Sequence, residues 1–353
     1  MRIMIIDKNF SPIMEQVFAG RSFSADEAEA LIHSMIDGTL SDIRTAAVLT
    51  GFRFLPLSDD IIIGVLKIIK ESIIQENNAN NLNNIKLVDC SNICYERGSS
   101  LNILTIAAII AAGTGAHVAK FVGTGMTNKS STCELLESLN LLAADSLEHA
   151  FTQIQNCNIT FLKFNTVYPT LKHLMEIRKT LGFKTIIDLI LPLATPMPLS
   201  GQFIGMHSRE LLPLMASCLK KLGRKRAIIA HGEDGLDEIS VCSATYIFKL
   251  ENNKISHEVL NPVDFGIKLH NSNKLLGKDI EFNAQVMLDV LKNQAYPAVM
   301  DAVTINAAAI LWCADLCSDL ITGLKMAKDA ISSGKCLKLF EIWKKDCQIS
   351  EGN

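Results

Sequence analysis

The chain has no apolar run long enough to cross a bilayer: its longest, residues 103–112, falls well short of the roughly 20 residues a transmembrane helix needs. It has no excess of either charge, with 34 Lys and Arg against 37 Asp and Glu and a net charge of −3. That balance argues against a strongly basic nucleic-acid surface. One basic cluster, Lys220-Lys221 with Arg224-Lys225-Arg226, reads as the decoration of a helix end, where cations suit the dipole. There is no secretory leader pattern at the start, and the ten cysteines are scattered without a disulfide framework or a closely placed second pair for zinc. The expectation is a cytoplasmic protein with reduced thiols and no membrane segment. Tandem repeats and low-complexity segments are also missing, apart from one asparagine-rich stretch. What is there is 48% apolar and 20% charged over 353 residues, enough for one large buried core with a smaller companion.

Residues 10–76 read as helices only. Ser24 and Glu27 form a capping box ahead of residues 25–36, whose Ala28, Leu31, Ile32 and Met35 share a face, and Gly38 supplies the stop. Helical spacing continues over 42–54 and 59–74. The stretch 76–84 is asparagine-rich, has no apolar face and reads as a boundary. Beyond it, short apolar runs at 85–88, 118–122, 160–164, 185–191, 203–206 and 227–230 alternate with helical stretches. This is the pattern of an α/β layer architecture with a mainly parallel sheet. Residues 243–250 and 254–260 flank Glu251-Asn252-Asn253 as a hairpin, and helices close the chain from 282 to about 345. The predicted division is a helical subdomain over 1–76, joined by helices around 168–182, a linker over 77–84, and an α/β domain over 85–353.

The most informative segment is His231-Gly232-Glu233-Asp234-Gly235-Leu236-Asp237-Glu238-Ile239-Ser240, which follows the predicted strand 227–230. Gly232 and Gly235 let the backbone turn tightly, and the adjacent carboxylates Asp237 and Glu238 stand at a strand end. Such a pair can hold Mg²⁺ through one or two oxygens while substrate phosphates complete the octahedron. A bare acidic pair is also compatible with a solvated turn.

The whole decapeptide resembles the signature of the anthranilate phosphoribosyltransferase family. Further segments follow in that family's order: Gly38-Thr39-Leu40-Ser41, Lys129-Ser130 with Leu135-Leu136-Glu137-Ser138-Leu139, Ile177-Arg178-Lys179-Thr180-Leu181-Gly182, Pro192-Leu193 with Pro196, and Asn306-Ala307-Ala308-Ala309. The likeness spans about Phe18 to Trp343. It implies a small helical subdomain plus a large α/β domain, a homodimer formed through the helical subdomain, and transfer of phosphoribosyl from phosphoribosyl pyrophosphate (PRPP) to the amine of anthranilate in tryptophan biosynthesis. It also implies Mg²⁺ on Asp237 and Glu238, phosphate contacts from Asn102, Thr105, Lys129 and Ser130, and Arg178 on the carboxylate of an aromatic acid. Arg178 on its residues alone reads either way, as a planar fork for a carboxylate or as a solvated helix group.

Two departures from the family pattern stand out. Where the family has a glycine-rich turn that nests the diphosphate, this chain reads Cys90-Ser91-Asn92-Ile93-Cys94-Tyr95-Glu96-Arg97, with no glycine where the nest needs one. Leu104 replaces a hydroxyl expected at the metal. On the acceptor side, Phe121 stands in place of a histidine and Tyr168 in place of a second. Cys94, Tyr95, Phe121 and Tyr168 are therefore expected to line a remodelled pocket, and no general acid or base is assigned. The stretch Gly123-Thr124-Gly125-Met126-Thr127-Asn128-Lys129-Ser130 misses a nucleotide-binding loop by Asn128 alone, but the resemblance assigns its Lys129-Ser130 to PRPP. Three readings follow: ordinary anthranilate phosphoribosyl transfer, a diverged transferase using an aromatic or other carboxylate with a different donor, and a non-catalytic paralogue that binds.

Overall fold

The computed structural model describes residues 10–73, 85–93, 101–122 and 132–350. The expected site residues Cys94, Tyr95, Lys129 and Ser130 lie outside the described residues. The chain divides into two compact units, Met1–Gln75 with Asn165–Pro196, and Glu76–Phe164 with Met197–Asn353.

The first unit is helical. Its helices Phe10–Phe18, Ala25–Ile36, Asp42–Phe52 and Asp59–Glu71 are joined by Lys172–Leu181 and Ile186–Ile190. The Ser24 hydroxyl accepts from Glu27 N at 3.2 Å and Glu27 Oε2 accepts from Ser24 N at 2.8 Å, so two orphan donors of the second helix are satisfied reciprocally. Its Ala28, Leu31, Ile32 and Met35 are all buried. One expectation fails here: residues 185–191 are not a strand but the short helix Ile186–Ile190. Thr185 and Asp188 form a second capping box at its start, and a short apolar run does not by itself separate a strand from a buried helical turn.

The second unit is built on a seven-stranded sheet in the order β3-β2-β1-β4-β5-β6-β7. The strands are β1 Leu87–Ile93, β2 His117–Val122, β3 Ile159–Lys163, β4 Leu199–Met206, β5 Arg226–Gly232, β6 Thr245–Glu251 and β7 Lys254–Leu260. β1 to β5 pair in parallel, and β5-β6-β7 is antiparallel. The β6–β7 turn places Asn252 at φ 50° and Asn253 at φ 62°, the left-handed pair that a two-residue hairpin needs. A small helical unit with a larger, mainly parallel α/β unit is thus the architecture the sequence predicts.

The core of the sheet unit explains two long apolar stretches. Ten residues of the helix Ile103–Gly113 are buried, and the helix is apolar around its circumference because other elements enclose it, as they do the helix Pro297–Cys313. Among the described residues no helix is long and apolar enough to cross a membrane.

Topology then locates the site. The chain runs outward from β1 through β2 to β3 and returns on the other side of β1 with β4 and β5, so the order reverses between β1 and β4. In open parallel sheets the crevice at the carboxyl ends of the strands beside such a reversal is where ligands bind.

Candidate metal and diphosphate site

The acidic turn begins where β5 ends. Gly235 takes φ +87°, and a Cβ at Gly232 would displace the Asp234 carboxylate, coming within 2.5 Å of its Oδ1. Gly232 N donates to Leu236 O at 2.8 Å and Gly235 N to Gly232 O at 2.8 Å, which closes the loop on itself. Asp234 serves this fold rather than a ligand, accepting from Leu236 N at 3.3 Å and from Ser240 Oγ at 2.7 Å. Ile239 N donates to Asn306 Oδ1, and Asn306 Nδ2 donates back to Ile239 O, both at 2.9 Å. From the sheet side the turn rests on Gly205 of β4, whose missing Cβ leaves space for Asp237 O.

Asp237 and Glu238 are consequently fixed at the carboxyl edge of the sheet. The Asp237 Oδ2 oxygen is buried and has no hydrogen-bond partner among the described residues, a costly arrangement unless something electropositive meets it. Glu238 is 5% exposed. Burial first, then the neighbouring Asp237 and Asp234, push its carboxyl well above the usual carboxylate range, with Lys120 opposing. Among the described residues no three His, Cys, Asp or Glu side chains form a protein-only cage. Two hard carboxylates with an orphaned buried oxygen do suit Mg²⁺, which keeps water or substrate phosphate on its other positions.

Lys120 and Asp89 escaped the sequence reading. Lys120 lies on β2, only 4% exposed, and its Nζ donates to Cys90 O on β1 at 2.5 Å. Asp89 on β1 is fully buried and accepts from Ser91 Oγ at 2.6 Å, Gln202 Nε2 at 2.9 Å and Phe121 N at 3.1 Å. It therefore ties the middle of β1 to the middle of β4 and to the carboxyl end of β2. Burial raises the Asp89 carboxyl above its ordinary range, while Lys120 and these hydrogen bonds pull it back. Burial likewise pushes the Cys90 thiol up to about 12, so it is an inert thiol and not a nucleophile. The available signal was a charged residue inside each apolar run, since Lys and Asp are almost never fully buried unless paired.

On the phosphate side, Asn102 takes a left-handed conformation (φ 54°, ψ 40°) at the start of the helix Ile103–Gly113. Its side chain does not cap that helix; its Oδ1 accepts from Asn283 Nδ2 at 3.3 Å instead. Thr105 is buried with its hydroxyl 3.3 Å from that of Thr132, and Leu104 is buried in the core. Phe121 sits on β2 with its ring centroid 5.6 Å from that of Phe164, which follows β3, so two adjacent strands end in a shared apolar wall.

In the helical unit, Arg178 is neither solvated nor open. It is 4% exposed and gives Asp188 a hydrogen bond from Nε at 2.9 Å and a second from Nη2, while Lys184 approaches the same oxygen at 3.5 Å. Burial raises the Asp188 carboxyl, but Arg178, Lys184 and the Thr185 N–H together hold it below its usual range. Three of the five guanidinium N–H groups remain beyond those given to Asp188. Tyr168 corrects an expectation. It is fully buried, its hydroxyl donates to Ala194 O, and desolvation raises its pKa, so it packs as a core residue.

The model of the α/β domain of the glycosyl transferase family matches residues 87–337, and that of the family's helical bundle domain matches 11–73. The anthranilate phosphoribosyltransferase of Synechococcus sp. (strain CC9311) is 31% identical over 328 residues, covering 93% of this chain and 93% of its own length. That of Prochlorococcus marinus (strain NATL2A) is 28% identical, covering 94% and 95%. Among solved structures, anthranilate phosphoribosyltransferase from Thermus thermophilus superposes with a TM-score of 0.84 at 24% identity, over 95% of this chain and 98% of that one. The enzyme from Saccharomyces cerevisiae in complex with PRPP and Mg gives 0.82 at 21%, over 97% and 98%. At these identities the structural likeness speaks for the fold, and the sequence match speaks for descent. On its acidic turn, its two units and its match along nearly the whole of its relatives, the chain belongs to the anthranilate phosphoribosyltransferase family.

Proposed function

We propose that the protein transfers the phosphoribosyl group of PRPP to the amine of anthranilate, with Mg²⁺ held by Asp237 and Glu238. The observation that carries this reading is the orphaned, buried Asp237 Oδ2 beside buried Glu238 at the carboxyl edge of the sheet. The amine forms a bond to the ribose C1 as the bond from C1 to the diphosphate oxygen breaks; the diphosphate leaves with its electron pair and the amine loses a proton. The transition state has oxocarbenium character, so the protein must orient the amine, exclude water and meet the growing negative charge of the leaving group. The cation, when bound, supplies Lewis-acid neutralisation of that charge.

In this reading Asn102 and Thr105, with Lys129 and Ser130, contact the phosphates, and the N–H groups of Arg178 that Asp188 leaves take the acceptor carboxylate. Lys120, buried on β2, opposes the effect of burial on Glu238, and the Phe121–Phe164 wall excludes water. Incubation with PRPP, Mg²⁺ and anthranilate should yield the phosphoribosyl adduct by mass spectrometry, and chelation of Mg²⁺ should lower its rate at least ~10²-fold. No adduct and no calorimetric heat with PRPP and Mg²⁺ would sink the proposal in favour of a non-catalytic role. The apolar Phe121–Phe164 pair favours a second reading, a different aromatic acid as acceptor; an adduct formed only with other acids in the same assay would select it.

The working form we propose is a cytoplasmic homodimer. The nine described cysteines are free thiols, as a reducing compartment keeps them. The helical unit exposes Phe18 at 74%, Ile43 at 84% and Phe54 at 76%, large apolar side chains that a second copy would cover. Phe54→Asp should shift the sedimentation coefficient from dimer to monomer. A monomeric wild type would refute the dimer.

A further inference from the structure

Asn306 belongs to the helix Pro297–Cys313, whose residues are otherwise almost entirely apolar and buried. Its side chain is fully buried and makes three hydrogen bonds. Oδ1 accepts from Ile239 N at 2.9 Å, while Nδ2 donates to Ile239 O and to Ala302 O, each at 2.9 Å. The amide thus pairs with both backbone groups of one residue as a neighbouring strand would, and its second donor bond, one helical turn back, fixes its own rotamer. Ile239 directly follows Glu238.

The opposite side of the turn is equally constrained. The Asp237 carbonyl lies over Gly205, so close that a Cβ there would come within 1.6 Å of it. Held between a β4 glycine and an amide from the helix, the peptides that carry Asp237 and Glu238 have one available position. A buried asparagine in an apolar helix has no packing advantage over leucine, and its donors and acceptor must all be satisfied to be tolerated.

We propose that Asn306 is a positioning residue for the cation-dependent reaction: it sets the backbone of Ile239 and thereby aims the Asp237 and Glu238 carboxylates at one point. The inference rests on the reading of that turn as the cation site. It places the geometry of the carboxylates under the control of a side chain that touches neither cation nor substrate.

The test uses the full chain, with Mn²⁺ as the paramagnetic probe in place of Mg²⁺ and PRPP present. Asn306→Leu fills the same space without the three hydrogen bonds; should it fail to fold, Asn306→Ala, which adds no bulk, is measured in the same way. Amide exchange in peptides covering residues 233–240 should speed up at least ~10-fold, and Mn²⁺ affinity should fall by about 10- to 100-fold, the range typical of lost partners behind metal ligands. The KM for anthranilate should change by less than roughly twofold, because uniform binding of the acceptor is untouched. Unchanged exchange, or faster exchange with unchanged Mn²⁺ affinity, would overturn the inference and leave Asn306 as a core contact. A wild type that binds no Mn²⁺ with PRPP would instead overturn the cation reading itself, which separates the two failures.

Discussion

Gly205→Ala should slow the Mg²⁺-dependent reaction roughly 10²-fold while leaving a folded protein. A Cβ at this position would lie 1.6 Å from Asp237 O and 2.5 Å from Asp237 C, and 3.3 Å from Glu238 N. Those are backbone atoms, so no side-chain rotation relieves the clash, and the acidic turn must move by on the order of 1 Å. Magnesium demands near-ideal octahedral geometry, and a misplacement of that size costs roughly 10²-fold in rate. The overpacking should also lower stability by about 1–3 kcal/mol. Gly201 on the same strand provides the control. A Cβ there would come 2.0 Å from Cys313 O, near the other end of β4, so Gly201→Ala should lower the urea midpoint comparably without reaching the acidic turn. Initial rates corrected for the folded fraction distinguish the two. Equal rate losses in both variants would mean that the loss at Gly205 reflects general destabilisation and not displacement of the turn.

Lys120→Met should lower stability, and by an amount that depends on pH. Methionine matches the length of the stem, but it removes the buried cation whose field opposes the effect of burial on Asp89 and Glu238. The Cys90 carbonyl is left without its buried donor, at a cost of about 1–3 kcal/mol, and the positive charge that opposes burial at Asp89 and Glu238 goes with it. The pH dependence follows from the direction of the shifts. Burial holds both carboxyls above their ordinary range, so each binds its proton more tightly folded than unfolded. Stability from these groups is complete below the ordinary carboxylate pKa and falls as pH rises towards the raised folded value. Lys120 opposes those shifts, and its removal widens the window in which stability is lost. The difference between wild type and variant in urea unfolding should therefore be smallest in acid and grow towards neutral pH. A difference that does not vary with pH would show that Lys120 acts through packing alone.

These two residues mark where the sequence was and was not legible. The helices of the first unit could be read because their information is local: the Ser24–Glu27 box and the buried stripe of Ala28, Leu31, Ile32 and Met35 lie within three or four residues of one another. The strands β2 to β5 could be read because parallel strands covered on both faces are nearly continuous apolar runs. The same logic misassigned residues 185–191, where an equally apolar run is a capped helical turn. The acidic decapeptide could be read because its glycines, its acids and the strand before it are contiguous.

Site residues that depend on distant partners were not legible in that way. Arg178 offered a choice between substrate and solvent in the sequence, and the fold supplied Asp188 as a partner in a buried pair. Tyr168 was expected in the pocket, yet the carbonyl of Ala194, 26 residues on, holds it in the core. By itself, the sequence determined the secondary structure of most elements, the two-unit α/β class and the segment that carries the carboxylates, because each is written in spacings shorter than a turn or a strand. Only the tertiary structure decided that Asp237 keeps a buried oxygen unpartnered among the described residues, that Lys120 is buried against Cys90 O with its field reaching Asp89 and Glu238, and that Asn306 and Gly205 hold the turn from opposite sides. Those contacts join residues up to 67 positions apart in the turn and 32 in Asp89's bond to Phe121 N, and their geometry exists only once the sheet has closed.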